Sequence, residues 1–303
     1  MFGFKGFSKR ILGRLRHREV VVTRGKEEAV QKALAVPILA AIVAVASAVG
    51  RPAESIAPKP VIMTIAAHPD DEFFNGGATV SLKEVVDRQR AEMVLIGLTR
   101  GETWCGMNFT ELTGFSCGQH REQEMRCVAR NIQASQLRFV GLWGGQVHRP
   151  ETHGRLVRLI REVRPDIIIT HGTKGEYNAY DHQMACTYTN RAFVDAADPT
   201  KFPEHLTNGL TVWKSSKLYH TVRGVNTEPV TFEIPPTEKN SAGTATYAEL
   251  AVRACKPCHK SQSMYATAKP DPCRLSLMRS NVSTPGPETD ILADVQPQRS
   301  RPT

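Results

Sequence analysis

The 303-residue sequence has no internal repeat, no Gly-x-Gly-x-x-Gly phosphate loop, and one long uncharged apolar run. The first absence excludes a repeat array, and the shortage of apolar runs excludes a polytopic membrane protein. The second argues against a dinucleotide-binding domain, since Gly76-Gly77 has the wrong spacing and is preceded by acidic residues that repel phosphate. Acidic charge is scarce as well: 30 Asp and Glu stand against 39 Lys and Arg, a net charge of +9. Hydrophobic residues at 41%, with 22 Gly and 19 Pro, exclude a disordered or collagen-like chain. One large α/β domain or two smaller ones fit the length.

A basic chain suggests nucleic acid until the charge is located. Residues 1–32 hold nine basic and three acidic residues, +6 of the +9, leaving +3 for the remaining 271 residues. Behind that flank runs Ala33 to Gly50, uncharged and ending Ala46-Ser47-Ala48. A basic flank, an apolar stretch and an A-x-A end are the parts of a secretory signal, or of a membrane anchor if uncleaved. The reading is therefore export, periplasmic or extracellular, with no nucleic-acid partner and membrane contact only through an uncleaved N-terminal segment. Residues 1–50 are this basic region and signal or anchor, and 51–60 a linker.

From Val61 strands and helices alternate. Val61–Ala67, Glu92–Thr99, Arg138–Leu142, Asp166–Thr170 and Lys217–Val222 read as buried strands. Gly77–Arg90, Gln119–Ile132, Thr152–Val163 and Asp181–Val194 read as helices, with a further helix near Tyr247–Ala254. The alternation predicts right-handed crossovers and a mostly parallel α/β sheet with helices on both faces. The folded domain is expected over residues 61–279, with a loose tail over 280–303. Nothing in the sequence sets the oligomeric state.

Two polar segments follow strands, where open α/β sheets bind their ligands. His68-Pro69-Asp70-Asp71-Glu72 follows the first, and His171 leads through Glu176-Tyr177-Asn178-Ala179-Tyr180-Asp181 to His182 after a later one. Singly, Asp70 and Asp71 read as capping carboxylates and His68 as a core histidine. Together they suit a divalent metal. One Asp ligates while its neighbour takes a proton from water, and His182 supplies a third ligand.

The residues Ala66 to Glu72 (AAHPDDE) resemble the signature of the LmbE-like, or PIG-L-like, family of zinc-dependent de-N-acetylases. Arg121-Glu122-Gln123-Glu124 resembles that family's R-x-x-E helix, residues 170–182 its second metal segment, and His259-Lys260-Ser261-Gln262 its late H-x-S-Q element. The resemblance spans about residues 61–262. It implies a Rossmann-like three-layer α/β/α sandwich, and Zn2+ held by His68, Asp71 and His182. Asp70 is then the general base, and Tyr177 helps to stabilise an oxyanion. The implied substrate is an N-acetylglucosamine-type sugar in a glycan, glycolipid or glycoconjugate, which loses its N-acetyl group. One position departs from the pattern. Relatives often carry a histidine three residues before the second histidine ligand, and Ala179 stands there. His171 and Tyr180 are the nearest substitutes in sequence, which adds His171 to the candidate catalytic residues.

Two other readings stay open. Ala179 favours a catalytically weak carbohydrate-binding protein of the same fold. Cys255-Lys256-Pro257-Cys258-His259 has the pattern of a c-type haem attachment, with Met264 or Met278 as the other axial ligand. A disulfide between two of Cys255, Cys258 and Cys273 is the alternative for that cluster. The seven cysteines suit an oxidising compartment. Cys127 and Cys186 read as buried thiols, while Cys105 and Cys117 bracket an insert, Arg100–Gly118. The insert reads either as a disulfide-tied loop or as a lid carrying Trp104, Phe109 and Phe115.

Overall fold

The computed structural model describes residues 58–106, 108–262, 267–282 and 286–297. The basic region and the apolar run lie outside these residues. Among the described residues, no helix is long and apolar enough to cross a membrane.

Seven strands form one sheet: β1 (Val61–Ala66), β2 (Glu92–Thr99), β3 (Gln136–Leu142), β4 (Ile167–Thr170), β5 (Lys217–Thr221), β6 (Phe232–Ile234) and β7 (Cys273–Ser280). Their order is β3-β2-β1-β4-β5-β7-β6. The first five run parallel, while β7 is antiparallel to both β5 and β6. All six residues of β1 are buried, as a central parallel strand requires. Its side chains alternate. Ile62 and Ala66 enter one apolar cluster, and Met63 and Ile65 the other.

Helices cover both faces. On one lie α1 (Asp71–Phe74), α2 (Gly77–Ser81, running on into a π-helical turn, Leu82–Asp87), α3 (Gly114–Asn131) and α8 (Tyr247–Cys255). On the other lie α4 (Glu151–Val163) and α6 (Tyr180–Asp195), preceded by the one-turn α5 (Gly175–Asn178), with α7 (Pro203–Thr207) beyond them. This is the three-layer sandwich with a mostly parallel sheet. A Cβ on Gly77 would lie 2.6 Å from Thr64 Oγ1, so glycine lets α2 approach β1.

Strand order decides where a ligand fits. From β1 the chain steps to β2 and β3 on one side, then crosses back to β4 on the other. The connections that leave the carboxyl ends of β1 and β4 therefore run in opposite directions and open a crevice. Both polar segments leave from those two ends.

Several expectations need correction. Helix α3 starts at Gly114, not Gln119; two glycines hide a start fixed by Thr113 and Ser116, which cap each other's backbone. Two strands are additional to the expected ones: β6, a three-residue edge strand, and β7, which lies between β5 and β6 and pairs with them across long sequence distances. The tail after Ser280 is not loose over its described part. Ile291 and Val295 are buried, and Glu288 accepts hydrogen bonds from the buried Lys217 Nζ at 2.6 Å and from the Tyr219 hydroxyl.

The cysteines also differ. Cys127 is not a free thiol but is disulfide-bonded to Cys258, closing a separation of 131 residues between α3 and the segment after α8. Cys255 and Cys273 are free and buried, so no disulfide forms within the late cluster, and Cys105 and Cys117 remain thiols. The haem reading fails on the same ground. Cys258 is already bonded, and His259 is held by Glu72.

Closing so long a loop restricts the unfolded chain. Reduction, or Cys127→Ser, is expected to cost about 2–4 kcal/mol of stability. Urea unfolding with and without reductant measures it.

Candidate active site and metal centre

The turn after β1 separates two adjacent aspartates. Asp70 has φ 117°, a conformation that only a well-braced non-glycine residue keeps. The bracing is visible. The Asp70 N–H donates to Glu72 Oε2 at 2.9 Å, and Glu72 in turn is hydrogen-bonded to His259. Arg121, buried on α3, lies 3.2 Å from Asp70 Oδ2 and donates to the carbonyls of Pro69, Gly101 and Trp104. Glu124, one turn on, accepts the Ser261 N–H at 2.7 Å. The R-x-x-E and H-x-S-Q elements thus form a shell behind the first motif.

Asp71 turns the other way. Its Oδ2 accepts the His68 N–H at 2.7 Å, and its oxygens face two imidazoles. His68 Nδ1 is 3.4 Å from Asp71 Oδ2, and His182 Nε2 is 3.3 Å from Asp71 Oδ1. The two ring nitrogens are 3.3 Å apart. Ligand atoms on a tetrahedral metal with bonds of about 2.0–2.1 Å stand about 3.3–3.4 Å from one another. Two nitrogens and one carboxylate at that spacing fit a zinc-type divalent ion and leave one face open.

Each histidine is aimed by a carboxylate. His68 donates from Nε2 to Asp181 Oδ2 at 3.0 Å, which frees Nδ1. Asp181 is itself fixed by the Gly145 N–H at 2.7 Å. His182 donates from Nδ1 to Glu176 Oε2 at 2.6 Å, which frees Nε2. The same oxygen accepts His171 Nδ1 at 2.8 Å, while His171 Nε2 accepts the Ala67 N–H at 3.0 Å. His171 is fully buried with both nitrogens engaged, so it faces no substrate. Its expected catalytic part is replaced by a positioning one: it ties β1 to Glu176.

Glu176 sits at φ 52° on the turn of α5. Gly224, at φ 61°, lies so close that a Cβ there would fall 1.9 Å from the Glu176 carbonyl oxygen. Burial alone would raise the Glu176 pKa; the charge and hydrogen bonds of His171 and His182 outweigh it and hold the carboxyl at about 2. Asp70 goes the opposite way. Burial pushes it up to about 7 against the pull of Arg121, with Asp71 adding to the rise.

Tyr177 leans over the open side of the ligand trio, its hydroxyl 3.4 Å from His182 Nε2, and is 66% exposed. Asp70, Asp71, Phe74, Glu176, Tyr177, Arg223 and Gly224 line a cavity of about 210 Å3. Ala179 offers no proton donor. The exposed His148 has its ring 5.8 Å from the Tyr180 ring.

A family model described as PIG-L, GlcNAc-PI de-N-acetylase, matches residues 63–193, which include both polar segments. Over those residues the chain is similar to the PIG-L family. A 1D-myo-inositol 2-acetamido-2-deoxy-alpha-D-glucopyranoside deacetylase of Frankia casuarinae is 32% identical over 53% of this chain and 58% of its own length. An enzyme of the same description from Streptomyces avermitilis is 29% identical over 52% of this chain and 60% of its own length. The chain thus spans about three fifths of the curated relatives that it matches. Among solved structures, N,N'-diacetylchitobiose deacetylase from Pyrococcus horikoshii superposes with a TM-score of 0.58 at 16% identity, covering 72% of this chain and 83% of its own. A 4-carboxy-2-hydroxymuconate hydratase from Pseudomonas putida gives 0.54 at 17% identity over 74% of this chain and 98% of its own. Such likeness carries the fold alone.

Glu176, Asp181, Glu72 and Glu124 were given no role from sequence, although all lie within the quoted motifs. Their signal was proximity to a ligand in the chain, which does not say which way a carboxylate points. If Glu176 orients His182, Glu176→Ala is expected to weaken Zn2+ binding about 10–100-fold while leaving all three ligands in place. Chelator competition reads that loss.

Proposed function

We propose that this chain is a PIG-L-type, metal-dependent amide hydrolase that removes an N-acetyl group from an N-acetylglucosamine-type sugar in a glycan, glycolipid or glycoconjugate. The observation that carries the reading is the divergence of Asp70 and Asp71. One carboxylate joins two histidines at ligand spacing, and the other is held apart at the cavity wall. A zinc-type ion held by His68, Asp71 and His182 would supply Lewis acidity to the scissile amide and acidify water.

The side chains take the remaining parts. Asp70 accepts a proton from the attacking water and returns it to the leaving amine. Its brace, Arg121 and the Glu72 contact to its N–H, keeps the carboxylate aimed at the open face. Desolvation at the site and the nearby carboxylates of Asp71, Asp70 and Glu176 push Tyr177 above its ordinary range, so it remains a hydrogen-bond donor for the developing oxyanion. The names borne by the family model and by the curated relatives support an N-acetylated amino sugar as substrate.

The compartment is part of the same proposal. The basic flank and apolar run before residue 51 direct export, and a disulfide between Cys127 and Cys258 is at home in an oxidising compartment. Ala179 favours one other reading, a carbohydrate-binding protein with little turnover.

Asp70→Asn is expected to retain stoichiometric zinc and to lose about 100- to 10,000-fold of acetate release from N-acetylglucosamine conjugates. Unchanged turnover in that variant removes the base role from Asp70. Zinc binding without acetate release from any acetylated sugar by the wild type decides for the binding protein.

A further inference from the structure

Among the described residues, the aromatic side chains that stand well into solvent are Trp104, Phe115, Trp143, Tyr177 and Tyr180, each 42–66% exposed. The rest of the fold keeps its rings at least partly covered, with Trp213, Tyr219, Phe232 and Tyr247 buried outright. All five exposed rings follow the carboxyl end of a strand: Trp104 and Phe115 after β2, Trp143 after β3, Tyr177 and Tyr180 after β4.

Short links tie them to the site. Arg121, which braces Asp70, donates to the Trp104 carbonyl at 3.1 Å. The two residues after Trp143 donate their N–H groups to Glu102 and Asp181, at 2.9 and 2.7 Å. A Cβ on Gly114, the residue before Phe115, would touch the Trp143 ring at 3.8 Å. Tyr177 belongs to the cavity and to the rim at once. The chain neighbours of these rings are hydrogen-bonding or small: Thr103, Gly144, Ser116, Asn178. A pyranose has an apolar C–H face and an edge of hydroxyls, so an exposed ring beside hydrogen-bonding groups complements it. A lipid chain would instead call for a continuous aliphatic groove.

We propose that this rim is a carbohydrate subsite beyond the reacting residue, so that the protein takes its N-acetylated sugar within a chain of two or more rings. Which ring is cut rests on the hydrolase reading; the binding itself does not.

Two of the three tryptophans, Trp104 and Trp143, stand on the rim, and the third, Trp213, is buried, so tryptophan fluorescence reports its occupancy. Titration of the full chain with tri-N-acetylchitotriose and with N-acetylglucosamine is expected to show at least tenfold tighter binding of the trisaccharide. Trp104→Ala and Trp143→Ala, both at half-exposed positions that tolerate truncation, are expected to bring that ratio down about tenfold. Equal affinity for the two sugars, or an unchanged ratio in both variants, overturns the proposal. Tighter binding of a dodecyl glycoside than of the trisaccharide overturns it in favour of a lipid. Acetate release is followed in parallel. A chain-length preference without acetate contradicts the hydrolase reading and leaves the subsite standing, whereas acetate release without the preference does the reverse.

Discussion

One buried carboxylate, Glu176, holds the two halves of the site in register. It accepts hydrogen bonds from His171 and from His182, and His171 is bonded through its other nitrogen to the backbone at the end of β1. Three links thus join a strand end at residue 67 to a ligand at residue 182. An isolated carboxylate in such a place would cost several kcal/mol to desolvate. The two imidazoles, the Gly172 N–H and the Asn226 amide offset that cost. The backbone strain at Glu176 and the close approach of Gly224 follow from the same demand: the carboxylate has to sit under both rings.

The parallel core was legible because periodicity reports burial. Val61–Ala66 and Ile167–Thr170 are continuous apolar runs, and their buried positions need no knowledge of partners. What periodicity does not report is pairing at a distance. The antiparallel β7, the packed residues Ile291 and Val295, and the Cys127–Cys258 disulfide all depend on contacts made far along the chain. The helix start at Gly114 was hidden for a local reason, since two glycines lower helix propensity more than a capping pair advertises it.

The site divides along similar lines. Donor type and strand-end position, which are properties of sequence, suggested two histidines and one of the two aspartates as ligands, the family resemblance singled out Asp71, and the structure brings His68, Asp71 and His182 together at 3.3–3.4 Å. The direction of a ring is not such a property. His171 lies next to a strand end as the ligands do, yet its nitrogens are spent on Ala67 and Glu176 and it is sealed from the cavity. Fold likeness adds little at this level, because a hydratase and a deacetylase superpose on the chain about equally well. The divergence of Asp70 from Asp71, set by a strained φ and an arginine brace, is what separates a hydrolytic arrangement from a simple metal site.

The central claim is that His68, Asp71 and His182 hold one catalytic metal ion. Isothermal titration of the metal-stripped chain with Zn2+, beside the His182→Ala variant, tests it most directly. One ion per chain in the wild type and loss of that binding in the variant are the results the account predicts. Stoichiometric binding that survives His182→Ala would contradict it and move the metal elsewhere.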